Sequence, residues 1–179
     1  MSKILGLGLP KTGINSLGKS LNILGYTSIV APYSFAKITD ERAIVFANEY
    51  DAIIGMLGYI DIDLLLSLYP DAKIIYTTRG RKSWVESVEK RFDDDFIDKN
   101  IEESERERLK EVFGVEEFNT NYFNRFWDDY DEHMNDLRFN NESNFLQINL
   151  LSNNSPTNWN MICEFLGNDI PTNTIFPKT

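Results

Sequence analysis

The segment Gly6-Leu7-Gly8-Leu9-Pro10-Lys11-Thr12-Gly13 constrains this chain more than any other feature. It begins inside Lys3 to Gly8, which reads as a short buried strand. It ends where Ile14, Leu17, Leu21 and Leu24 recur at spacings of three and four, the pattern of a helix with one apolar face. Gly25 then supplies a helix stop. A strand that turns through proline and glycine straight into an amphipathic helix is the opening of a βα unit. Its junction exposes the unpaired N–H groups of the helix start, with the positive end of the helix dipole behind them. That is an anion site in waiting.

The remainder of the chain repeats the alternation. Strands are predicted over 26–30, 51–55, 72–77 and 145–149. Helices are predicted over 33–49, 60–68, 82–92, 102–113, 122–138 and 156–166. Phe123, Phe126, Trp127 and Tyr130 fall on one face of the longest helix and read as core, as do Trp84 and Trp159. Strands alternating with helices predict a three-layer α/β fold, a central parallel sheet of about 4–5 strands flanked by helices. The 179 residues suit a single domain, 1–179.

Composition excludes several function classes. Asp and Glu number 28 against 18 Lys and Arg, a net charge of −10, and the acidity is concentrated beyond residue 92. Such a chain offers no broad basic face for nucleic acid. Cys163 is the lone cysteine and His133 the lone histidine, so neither a disulfide framework nor a zinc cluster is expected, and no metal is assigned. No apolar run reaches the roughly 18 residues that span a bilayer. The run Ile4 to Leu9 is too brief for a signal peptide, so a cytoplasmic setting is expected.

The glycine-rich loop fits neither common phosphate motif. Gly8 and Gly13 have the separation of G-x-x-x-x-G-K-[ST], but Ile14 stands where the lysine belongs. Gly6 and Gly8 begin a G-x-G-x-x-G, but Lys11 stands in place of its third glycine. A second feature supports an anion site. The strand Ile74-Ile75-Tyr76-Thr77-Thr78 ends in Arg79, with Ser87 in the helix that follows. Ligands of open parallel sheets bind at the carboxyl ends of strands. A guanidinium there is a planar, permanently charged fork for phosphate oxygens.

Together these residues resemble the sulfotransferases. Pro10-Lys11-Thr12-Gly13-Ile14-Asn15-Ser16 looks like their 5′-phosphosulfate loop, and Tyr76-Thr77-Thr78-Arg79 with Ser87 looks like their 3′-phosphate loop. Tyr69-Pro70-Asp71-Ala72-Lys73, Lys82-Ser83-Trp84, Tyr130 with His133, Trp159 with Cys163-Glu164-Phe165-Leu166-Gly167, and Phe176-Pro177 resemble a short divergent branch of that family. The resemblance implies a P-loop NTPase-like fold. It also implies transfer of a sulfuryl group from 3′-phosphoadenosine 5′-phosphosulfate (PAPS) to a hydroxyl or amine of a small molecule or glycan, leaving 3′-phosphoadenosine 5′-phosphate (PAP), with no metal. By the same resemblance Lys11, Thr12, Gly13, Ile14, Asn15 and Ser16 hold the phosphosulfate, and Arg79 and Ser87 the 3′-phosphate. Lys11 then steadies the oxygen that leaves with phosphorus.

The family usually presents a carboxylate or imidazole base about twenty residues before that arginine, where this chain has Gly55-Met56-Leu57-Gly58. Asp40, Glu41, Asp61, Asp63 and His133 are substitutes, and His133 is the choice because imidazole is the usual base near neutral pH. The family's C-terminal arginine-lysine-glycine loop is also missing. Lys178 is a poor stand-in, on a tail expected to be mobile. Two other functions fit the same loop: a non-catalytic PAP-binding module, and an atypical P-loop kinase.

Overall fold

The computed structural model describes residues 2–30, 40–55, 62–92 and 109–178. Five strands form one fully parallel sheet in the order β2-β3-β1-β4-β5. They are β1 (Ile4–Gly8), β2 (Ser28–Val30), β3 (Ala52–Gly55), β4 (Lys73–Thr77) and β5 (Phe145–Ile148). The helices are α1 (Ile14–Ile23), α2 (Asp40–Glu49), α3 (Ile62–Leu68), α4 (Arg81–Phe92), α5 (Thr120–Asn140) and α6 (Ser155–Leu166). Residues 109–113 are also helical. The predicted α/β alternation is therefore the observed one. The start of the helix predicted over 33–49 and most of that predicted over 102–113 lie outside the described residues.

The apolar runs are explained by burial on both faces. All five residues of β1 are buried, since β1 lies between β3 and β4 with helices above and below. Leu5, Leu7, Ile53, Ile74 and Tyr76 face one core with Trp84, Phe113, Phe123 and Met134. Ile4, Ile54, Ile75 and Ile148 face the other with Leu17, Leu21, Trp159 and Ile162. Gly6 alternates onto that second face, where a Cβ would come within 2.9 Å of both Ile54 and Leu17. The missing side chain is what lets α1 lie flat on the sheet.

The aromatics of α5 do belong to the core. Phe113 and Phe123 meet edge to face at 5.0 Å, and Trp84 stacks parallel to Phe126 at 6.3 Å. The C-terminal tail, by contrast, is not loose. Phe176 is 1% exposed and packs edge-on against Trp159 at 4.9 Å, whose indole N–H donates to the Thr174 carbonyl. The expectation of a mobile tail overlooked this single aromatic anchor. Among the described residues no helix is long and apolar enough to cross a membrane.

Candidate functional site

β1 and β4 are hydrogen-bonded neighbours with Gly8 opposite Thr77, so the loop after each strand leaves the same edge of the sheet. Lys11 follows β1 and Arg79 follows β4. The parallel register alone brings two cations, 68 residues apart in sequence, to one end of one strand pair.

The first loop is fixed from within. The Thr12 hydroxyl donates to the Leu9 carbonyl at 2.7 Å and lies 2.9 Å from the Thr77 hydroxyl. The Thr77 hydroxyl also reaches the Leu7 carbonyl at 3.4 Å, so the two hydroxyls and two carbonyls share one buried hydrogen-bond cluster at the strand ends. The Thr12 N–H also points to the Leu9 carbonyl, at 3.3 Å. Gly8 makes room for this pair: a Cβ there would lie 2.1 Å from the Thr77 hydroxyl and 2.7 Å from that of Thr12.

Lys11 sits at φ 69°, a left-handed conformation uncommon for a side-chain-bearing residue. Gly13 caps α1 at φ 103° and ψ 18° and brings no side chain to its first N–H groups. The N–H groups of Ile14 and Asn15 therefore begin the helix without an intrahelical partner. Behind Gly13 stands Leu150, whose carbonyl accepts from the buried Asn158 amide at 3.0 Å.

Three side chains hold the loop ends by their carbonyls. The Trp84 indole donates to Pro10 at 2.8 Å, the Trp127 indole to Arg79 at 3.2 Å, and the Arg79 guanidinium Nη1 to Lys11 at 3.4 Å. Arg79 Nε also donates to Ser83 at 3.1 Å, and Ser83 donates in turn to the Gly80 carbonyl. Arg79 is thus oriented at two points while retaining further donors of its fork.

These elements enclose a cleft of about 410 Å³, within the range of small-molecule sites. Its polar lining includes Lys11, Asn15, Arg79, Ser87 and Arg91. Its apolar wall is Leu109, Val112 and Phe113, tied to α5 by the Tyr122 hydroxyl, which donates to the Phe113 carbonyl at 2.5 Å.

Of the residues chosen from sequence, Lys11, Gly13, Ile14, Asn15, Arg79 and Ser87 line this cleft together. Thr12 and Ser16 do not; each is 2% exposed, and the Thr12 hydroxyl serves the loop rather than a ligand. His133 lies outside it, exposed on α5, where Tyr130, Met134 and Leu137 take the buried positions. The proposed base thus stands on the solvent side of α5, apart from the cleft. Asp61 and residues 56–58 lie outside the described residues, as do the side chains of Asp40 and Glu41. Asp63 is exposed in the first turn of α3. Sequence reasoning missed Arg91, although its spacing of four from Ser87 put both on one stripe of α4. Among the described residues no group of three or more His, Cys, Asp and Glu could hold a metal.

A family model described as a sulfotransferase domain matches residues 31–179, a span that includes Arg79, Ser87 and Arg91 and begins after the Lys11 loop. The chain is also similar to the Ava biosynthesis cluster protein M of Aspergillus versicolor, 30% identical over 112 residues, covering 49% of this chain and 42% of that protein. The chain thus matches less than half the length of that relative.

Proposed function

This chain belongs to the sulfotransferase domain family, and we propose on that premise that it transfers a sulfuryl group from PAPS to a hydroxyl or amine of a small molecule or glycan. The observation that carries this reading is the shared cleft of Lys11, Arg79 and Ser87, with the Arg79 guanidinium 3.4 Å from the Lys11 carbonyl. One end suits a phosphosulfate: Lys11 lines it, and the N–H groups of Ile14 and Asn15 at the start of α1 are suited to anionic oxygens. The other end, Arg79 with Ser87, suits a phosphate monoester.

The chemistry asked of these residues is modest. An acceptor oxygen or nitrogen attacks sulfur in line, forming the new bond as the sulfur–oxygen bond to phosphate breaks. The acceptor proton leaves to a base, and the electron pair goes to the phosphate oxygen. Lys11 donates to that oxygen as its charge grows, a stabilisation that rises in the transition state and so lowers the barrier. The backbone donors need no reorganisation, because the Thr12–Thr77 pair and the Trp84 bond already hold the loop.

The test is sulfuryl transfer from labelled PAPS across a panel of hydroxyl and amine acceptors, with PAP binding measured alongside. Transfer is expected, together with a rise in melting temperature on adding PAP. Lys11→Ala is expected to lower kcat by about 10²–10³, the usual loss of one oxyanion donor. PAP binding without transfer would make the chain a non-catalytic binding module. Magnesium-dependent ATP binding without PAP binding would make it a kinase.

A further inference from the structure

Ser83, Ser87 and Arg91 form one stripe along α4, Ser87 and Arg91 line the cleft, and Arg79 lies just before the helix begins. Ser83, Ser87 and Arg91 are spaced by four, so each lies about 6 Å, one turn, from the next on the same face. Arg79 is joined to the stripe through its 3.1 Å bond to Ser83. Arg79, Ser87 and Arg91 all line the cleft. Ser87 is therefore bracketed, with a guanidinium held at the turn before it and another carried by the turn after it.

We propose that Arg91 is a specificity-determining residue, the second cation of a two-arginine clamp that closes on the 3′-phosphate over Ser87. The proposal rests on the donor reading above. A phosphate monoester carries −1.5 to −2 charges near neutral pH, by general phosphate chemistry about twice what one guanidinium neutralises. Arg79 is moreover partly committed, with Nε on Ser83 and Nη1 directed to the Lys11 carbonyl. A basic residue in the last turn of a helix is favourable in any direction, and Lys90 already meets that need. What sets Arg91 apart is its place on the Ser83–Ser87 stripe. A clamp of this kind selects PAPS over nucleotides that lack the 3′-phosphate.

The experiment is calorimetric titration of wild type, Arg91→Gln and Arg91→Lys with PAP and with adenosine 5′-monophosphate, which differs from PAP by the 3′-phosphate alone. Arg91 is exposed, and the ligand-free melting temperature of each variant confirms its fold. Arg91→Gln is expected to weaken PAP by about tenfold or more and leave the monophosphate unchanged, with Arg91→Lys between. Equal weakening of both nucleotides, or no weakening of PAP, overturns the clamp while wild-type preference for PAP leaves the donor reading standing. Wild type with no preference for PAP sinks the donor reading and the clamp together.

Discussion

The indole N–H of Trp84 donates to the carbonyl of Pro10 at 2.8 Å, so the helix after β4 holds the loop after β1 by its backbone. Trp84→Phe keeps an aromatic ring among Phe113, Phe123 and Phe126 but leaves a buried carbonyl without its donor. The expected cost is about 1–3 kcal/mol. A thermal melt should show a drop of roughly 2–12 °C. PAP affinity should fall with it, because Lys11 is the next residue along the chain.

Gly8→Ala tests the close approach at the strand end. Its Cβ would lie 2.1 Å from the Thr77 hydroxyl and 2.8 Å from the Thr77 backbone carbonyl. The expected destabilisation exceeds about 3 kcal/mol, since overpacking and the loss of a buried hydrogen bond combine. Adding Thr77→Ala removes the hydroxyl clash but not the carbonyl one. Denaturant melts of the double variant should therefore show incomplete recovery.

Lys11 exchanges backbone comfort for its position. A left-handed conformation costs a residue with a Cβ about 1–2 kcal/mol, and glycine adopts it freely. Lys11→Gly is expected to melt at the same temperature as wild type or a few degrees higher, while losing sulfuryl transfer. A lower melting temperature would mean that the lysine side chain contributes more to the fold than its backbone conformation costs.

The acid side of the stability curve has a contributor far from the cleft. Asp51 accepts from the N–H and hydroxyl of Thr27 at 2.8 and 2.7 Å, and these bonds, aided by Lys3, hold its carboxyl below the usual carboxylate range. With the folded value below the unfolded one, its contribution is full above the unfolded value and fades as pH falls through the folded value. The group is largely exposed, so solvent screening keeps the effect under about 1 kcal/mol. Asp51→Asn should melt slightly below wild type at pH 6, and the gap should close as the pH falls below the usual carboxylate range in paired thermal scans.

Much of this architecture was legible because β1, β3 and β4 are short continuous apolar runs that only a sheet covered on both faces can bury. The cleft was legible for the same reason, since Lys11 and Arg79 each end such a run. The inward turn of Thr12 was not, because it depends on Thr77, which meets it only through strand register. The solvent-side position of His133 was not read from the sequence, although the spacing that buries Tyr130, Met134 and Leu137 dictates it. The docking of Phe176 on Trp159 could not be seen from a tail without periodicity.

The position of β1 in the sheet has a bearing on biogenesis. The stretch translated ahead of its partners is the middle one, and neither flank exists until residues 52–55 and 73–77 have been made. A nascent chain must carry that sticky ribbon unpaired past the ribosome exit, where exposed apolar edges invite misassembly. The hydroxyl contact between Thr12 and Thr77 then sets the order: the loop after β1 is made before β4 and takes its final shape only once β4 has arrived.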